Sequence, residues 1–258
     1  MATQLLIYET AVPVTQTRHG QWSVDTAGGF AFCRKVNSVP LMTVEFPRTA
    51  AEYPIVFAGN GEHVMPAVIL GLRAGENLFL TEQGGWDGKY IPAFVRRYPF
   101  VFSSSSDGTT FSLCIDEAYA GCNQEGRGQQ LFDDNGKPTN YVQDVLRFLQ
   151  GYQAEFQRTQ TFCKKLKELN LLEPMQAQIT LDSGQIVSLT GFLGVNKDRL
   201  KALSGDTLAD LAQADELEWV FLHLLSLQHF ESLKERLAGT ATGEALSVKK
   251  KGNGASGA

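Results

Sequence analysis

Short apolar runs fill the first half of the chain: VPLMTVEF (39–46), YPIVFAG (53–59), MPAVILGL (65–72), NLFLT (77–81), YPFVFS (98–103) and TTFSLCID (109–116). Each is rich in Val, Ile, Phe and Leu and bounded by Gly, Pro, Asn or Asp, the pattern of a β-strand. Several are apolar throughout instead of alternating, which predicts strands buried on both faces. PRTAAEY (47–53), opening on a proline, and GKYIPAFVRRY (88–98) read as short helices between them.

The period changes after residue 135. Val142, Val145, Leu149, Tyr152, Phe156, Cys163 and Leu166 recur at steps of three and four, with Thr159 filling the one gap. This predicts a long amphipathic helix within 135–174, entered through an Asn140/Gln143 capping box just after Pro138 and stopped by Pro174, with Gly151 tolerated inside. MQAQITLDSGQIVSLTGFLGVN (175–196) then alternates around Asp182-Ser183-Gly184, a hairpin signature. Two short helices follow, 197–204 and 207–214, the second with Asp206 as N-cap; a largely apolar helix spans 215–237. The pattern predicts an α+β (or α/β) fold. A sheet-containing lobe covers 1–138, the long helix, hairpin and helical end pack on it over 139–238, and 239–258 forms a disordered tail.

Composition narrows this picture. The chain has 258 residues, is 43% hydrophobic and carries a net charge of −5, which argues against broad binding to a phosphate backbone. The tail with Lys249-Lys250-Lys251 is basic, so the rest is more acidic than the whole. No apolar run is long enough to span a bilayer, and MATQLLIYETAVPV has no basic n-region, so the expected location is cytoplasmic. Cys33, Cys114, Cys122 and Cys163 form no C-x-x-C pair, and Cys33 and Cys114 sit among apolar neighbours. They read as free thiols in a reducing compartment.

Catalytic vocabulary is sparse. His223 and His229 lie about 240° apart around one helix and cannot chelate a metal together. His223 reads as a hydrogen-bonded core residue, and His19, in TRHGQW, as a surface residue or one facing a pocket. GGWDGKY (84–90) misses the phosphate-loop spacing, AGCNQEGRG (120–128) has its glycines in the wrong order for a dinucleotide fingerprint, and FDDNGKP (132–138) lacks the calcium-ligand spacing; all three read as turns, and SSSS (103–106) as a loop. No cofactor and no metal are expected.

Two constellations stand out. In WDGKYIPAFVRRYPFVF (86–102), Trp86, Tyr90, Phe94, Arg96, Arg97 and Tyr98 crowd together, suiting a carboxylate, phosphate or peptide partner through bidentate hydrogen bonds and cation–π contact. In CIDE (114–117), Asp116 and Glu117 suit either acid/base work or pairing with Arg96 and Arg97. Trp86, Tyr90, Arg96, Arg97, Tyr98, Asp116, Glu117 and His19 are therefore the candidate ligand-binding residues; no catalytic residue is assigned.

The strings EYPIVF, YIPAFVRRYPFVF and LTGF, in that order, together with CIDE, LFDDNGKPT and LLEPMQAQITLDSGQIV, are similar to the bacterial SapC family from about Leu5 to Leu237. That resemblance implies an association with surface-layer systems and a setting beside flavin-dependent halogenase-like enzymes, cupin-like proteins and TonB-dependent receptors. It supplies no catalytic residue set. The function expected is a non-enzymatic accessory or binding protein of surface-layer or outer-membrane-associated processes, with a protein or peptide partner, no nucleic acid and no membrane span. The alternative is an enzyme modifying a peptide or carbohydrate with Asp116, Glu117 and Arg96 or Arg97. A deep pocket lined by Arg96 or Arg97, an acidic residue and His19 would favour the enzyme; a shallow apolar patch or helix groove would favour binding.

Overall fold

A computed structural model describes residues 6–60, 63–105, 110–181 and 184–238; Ser106, Asp182-Ser183 and the tail expected to be disordered lie outside them. Its largest sheet is antiparallel, in the order β10-β11-β4-β5-β3, from Leu172–Thr180 (β10), Ile186–Val195 (β11), Ile55–Asn60 (β4), His63–Ile69 (β5) and Ser38–Pro40 (β3). Ile55, Val56 and Phe57 are buried in succession, as the unbroken apolar run predicts for a strand covered on both faces. The hairpin from the C-terminal half joins this sheet through Phe192 opposite Ala58 and Leu193 opposite Phe57. A second antiparallel sheet orders Ala11–Pro13 (β1), Phe111–Asp116 (β7) and Phe100–Ser104 (β6). A third consists of the two-residue strands Ser23–Val24 (β2), Cys122–Asn123 (β8) and Gln129–Gln130 (β9). Among the described residues every strand pairing is antiparallel, so the fold is α+β.

Before the long helix come three four-residue helices, Gln16–His19 (α1), Phe46–Thr49 (α2) and Ala93–Arg96 (α3). Asn140–Glu168 (α4) is the spine, about 43 Å long at 1.5 Å per residue. Val142 and Leu149 close the core under the second sheet, while Phe162, Cys163 and Leu166 enter the core of the large one. One helix thus joins two cores, and a small cluster of Met42, Ala93 and Tyr152 lies along it. Lys197–Lys201 (α5), Gly205–Gln213 (α6) and Glu216–Ser226 (α7) follow, and the chain is helical again over 229–238.

Several boundaries differ from the sequence reading, most of them because a side chain captures a backbone group. VPLMTVEF is strand only to Pro40. The Met42 amide then donates to the Glu45 carboxylate at 2.9 Å and the Thr43 amide to the Thr159 hydroxyl at 3.0 Å, so both leave the ladder and a 3-10 turn forms. NLFLT is irregular, with the Phe79 amide donating to its neighbour Asn77 at 2.9 Å. The long helix ends before Pro174: Asn170 is left-handed (φ 53°) and the Leu171 amide donates to Leu166 O, a Schellman-type closure. Pro174 instead lies in the edge strand β10, where a missing amide costs no ladder bond. The helix N-cap is Thr139, whose hydroxyl donates to Gln130 O, and Gln143 donates to Pro138 O in place of the expected capping box. Ser204, not Asp206, caps α6, and the helix expected over 215–237 breaks at residues 227–228.

Candidate functional site

Adjacent positions on a helical turn point about 100° apart, and Arg96 and Arg97 use that difference. Arg97 turns inward, 6% exposed, with its guanidinium against the rings of Phe94 (4.3 Å), Tyr152 (4.8 Å) and Tyr8 (5.6 Å). Stacking of this kind offsets part of the cost of taking the charge out of water. Arg96 turns outward and is exposed. Its Nε donates to Ile91 O at 2.9 Å and its Nη2 to the Tyr90 hydroxyl at 3.3 Å, while the rings of Tyr90 and Phe148 flank it at 5.7 and 5.3 Å.

Both arginines line an open cleft of about 310 Å³ between the α3–β6 segment and the first turns of α4. Tyr98, Phe100, Tyr141, Val145 and Phe148 supply most of its wall, with Thr26 and Asp144 also lining it; Asp144 pairs with Arg147 one turn along the helix. The lining is mainly apolar, and His19 is not part of it. Sequence reasoning located one wall, Arg96, Arg97 and Tyr98, and missed the other. The signal was there in Tyr141 and Phe148, which stand four before and three after Val145 of the stripe already read and widen it to one side.

The remaining candidates stand behind this wall or away from it. Tyr90 buttresses Arg96 and donates its hydroxyl proton to Glu45 at 2.9 Å. Glu45 is buried and also accepts from the Ala93 amide (2.7 Å) and the Met42 amide; burial raises its pKa. Asp116 is fully buried and accepts from the amides of Glu9, Thr10 and Ala118 and from the Tyr98 hydroxyl. Trp86 is a core prop: its indole lies 3.0 Å from the Tyr53 hydroxyl and 3.1 Å from Tyr90 O. A Cβ on Gly88 would sit 2.3 Å from that same hydroxyl, itself held at 2.6 Å from Tyr90 O. Gly88→Ala is therefore expected to cost about 1–3 kcal/mol in a urea melt, by pushing apart atoms that cannot yield.

Glu117 forms a separate site. It takes two 2.6 Å hydrogen bonds from Arg18 and one from His19 Nε2 at 3.1 Å, in place of the pairing with Arg96 or Arg97 that the sequence suggested. The hydrogen bonds to Arg18 hold the Glu117 pKa below the usual carboxylate range. His19 is not a surface residue: it is 0% exposed, and the Thr15 amide donates to its Nδ1, so Nε2 carries the proton given to Glu117. His223, also 0% exposed, accepts from the Val195 amide at Nε2 (3.1 Å), so Nδ1 donates to Ile55 O (2.8 Å). The thiols are protonated at neutral pH, burial pushing Cys33 and Cys163 up to about 12 and Cys122 to about 11. Among the described residues no group of three His, Cys, Asp or Glu could hold a metal ion, and no helix is long and apolar enough to cross a membrane.

Two of the loops are closed by their own side chains. Asp133 accepts from the amides of Asn135 and Lys137, and Asn123 from those of Glu125 and Arg127, both closing turns on their own backbone.

A scan against family models matches SapC over residues 14–233. The chain belongs to the SapC family. Neither a curated protein nor a solved structure matches it. The SapC match spans α1, both walls of the cleft and the His223 helix, and leaves outside it Tyr8 and the Glu9 and Thr10 amides that meet Arg97 and Asp116.

Proposed function

We propose that this SapC-family chain is a non-enzymatic accessory protein of the cytoplasm, serving surface-layer or outer-membrane-associated processes, and that it holds a protein partner in the Arg96 cleft. The observation that carries this reading is the character of the cleft: open, floored by rings, and offering to solvent a guanidinium already oriented by its neighbours. Such groups bind well and transfer protons or acyl groups poorly. The buried groups with chemical potential point elsewhere. Asp116 and His223 serve backbone amides, His19 is committed to Thr15 and Glu117, and the Cys33, Cys122 and Cys163 thiols are held protonated.

The test is affinity capture from the native cell with wild type, Arg96→Ala and Val145→Glu. Arg96 is exposed, so Arg96→Ala is expected to melt like wild type. Val145 also packs against the core under the second sheet, so Val145→Glu is expected to melt lower. Each, at a temperature where it is folded, should retain about tenfold less of the specific partner. Equal retention by all three proteins removes the cleft from the function.

A further inference from the structure

We infer that the segment seated in this cleft is an acidic stretch of peptide carrying an aromatic side chain, with Tyr90 and Glu45 as the positioning residues that set the Arg96 fork. The inference rests on the reading of the cleft as a binding site and names what it binds.

Arg96 is built to meet a carboxylate. Its Nε and Nη2 are anchored to Ile91 O and the Tyr90 hydroxyl, and two rings confine its plane. A guanidinium held in this way loses little rotamer freedom when it forms a fork with a planar acid. The Tyr90 hydroxyl has one proton and spends it on Glu45, so towards Arg96 it acts as an acceptor. Glu45 is itself fixed by the Ala93 and Met42 amides. The chain Glu45–Tyr90–Arg96 therefore transmits orientation from the core to the cleft surface.

Charge and size point to the same occupant. The chain as a whole is acidic, at −5, yet this cleft presents the exposed Arg96 guanidinium with the buried Arg97 behind it, and its one acid, Asp144, is engaged by Arg147. The N-terminal turn of α4, the positive end of a 29-residue helix, forms part of the same wall. The net charge of −5 does not draw an acidic partner; these local groups do, and they repel a basic one at this site. Tyr141 and Phe148, with Val145 between them and the buried Phe100 edge-on behind Tyr141, offer ring edges and faces to an aromatic side chain. A volume of about 310 Å³ holds one or two side chains of a larger partner.

The probe is a dye-labelled hexapeptide of glutamates flanking one phenylalanine, titrated with the full chain by fluorescence anisotropy. Two control peptides replace the glutamates by glutamine or the phenylalanine by alanine. Wild type is expected to bind the acidic aromatic peptide about tenfold more tightly than either control, with affinity falling as salt rises. Arg96→Gln should abolish the preference for glutamate over glutamine. Tyr90→Phe, which keeps the ring and removes the anchor, should reduce that preference while leaving affinity for the glutamine peptide unchanged. A role confined to stability would not move that ratio. Equal binding of the acidic and glutamine peptides overturns the inference, as does acidic-peptide binding undiminished in Val145→Glu. If Val145→Glu loses the native partner and no peptide binds wild type, the binding cleft stands and the acidic aromatic ligand falls.

Discussion

Replacing His223 with leucine is expected to cost about 3–5 kcal/mol of folding free energy, read as a lowered urea midpoint at pH 7.5. The reason is the place of the imidazole in the sheet. The β4–β11 register sets Leu193 opposite Phe57, so the next matching pair is Val195 and Ile55. There the ladder hydrogen bond is absent; the ring of His223 stands between the strands, taking the Val195 amide on Nε2 and giving Nδ1–H to Ile55 O. The Ser226 hydroxyl, one helical turn on, accepts from the Ile55 amide at 2.9 Å. Helix α7 therefore completes the bonding of a strand that its neighbour has left. Leucine fills much of the volume and serves neither backbone group, whereas His223→Gln, with one donor and one acceptor, should recover part of the loss.

The same geometry makes the contribution depend on pH. A protonated ring would turn a second N–H towards the Val195 amide, and burial already lowers the His223 pKa to about 4 from its ordinary 6.5. Between those values the unfolded chain takes up a proton that the folded chain refuses, so stability rises with pH. The contribution is complete above pH 6.5 and is lost as pH falls to about 4, a change of about 3 kcal/mol. Glu45 acts in the opposite sense, since burial raises its pKa and the folded chain takes up its proton first; Glu117, with its pKa lowered, matters only below its ordinary 4.5. The difference between wild type and His223→Gln isolates the histidine: wild type should lose its advantage between pH 6.5 and 4.5. A difference that stays constant over that range would show that the ring is not the titrating group.

Helix α4 is legible in the sequence because its stripe of Val142, Leu149, Tyr152 and Leu166 must face a core whatever the core is made of. Its start is not, since the Thr139 hydroxyl that would cap it locally is taken by Gln130 O through a strand contact. The central strands are legible for the same reason as the helix, and β3 is misjudged for the same reason as the cap: the amides after Pro40 go to the Glu45 and Thr159 side chains. At the cleft, the crowded YIPAFVRRYPF segment advertises a cationic aromatic wall. Thr26 and the α4 wall reach it only through the tertiary fold. His19 looks exposed among Arg18, Gly20 and Gln21. It is buried because its second nitrogen finds Glu117, 98 residues away, a pairing that neighbouring residues do not encode.

Asp116→Ala is expected to have the second large effect, about 3 kcal/mol or more. Its two oxygens collect four donors: Oδ2 takes the Glu9 amide at 2.8 Å and the Tyr98 hydroxyl at 3.3 Å, and Oδ1 takes the Thr10 and Ala118 amides at 3.0 and 3.1 Å. Alanine removes all four acceptor contacts and leaves three amides and a phenol facing an apolar methyl. Asn keeps one acceptor oxygen and presents an NH₂ to the other donors, so it should recover only part of the loss. The consequence has a direction along the chain. Glu9 and Thr10 precede β1, and the Thr10 carbonyl accepts from the Glu117 amide, so the segment that zips β1 onto β7 loses its anchor. Amide hydrogen exchange should accelerate at Glu9, Thr10 and Ala118 well before it does in β4. The Tyr98 ring, stacked on Phe32 at 4.1 Å and forming part of the cleft wall, loses the partner of its hydroxyl. Peptide affinity at the cleft should consequently fall in Asp116→Ala even at temperatures where the protein remains folded. Retained affinity with accelerated exchange would confine Asp116 to the N-terminal strand and free the cleft from it.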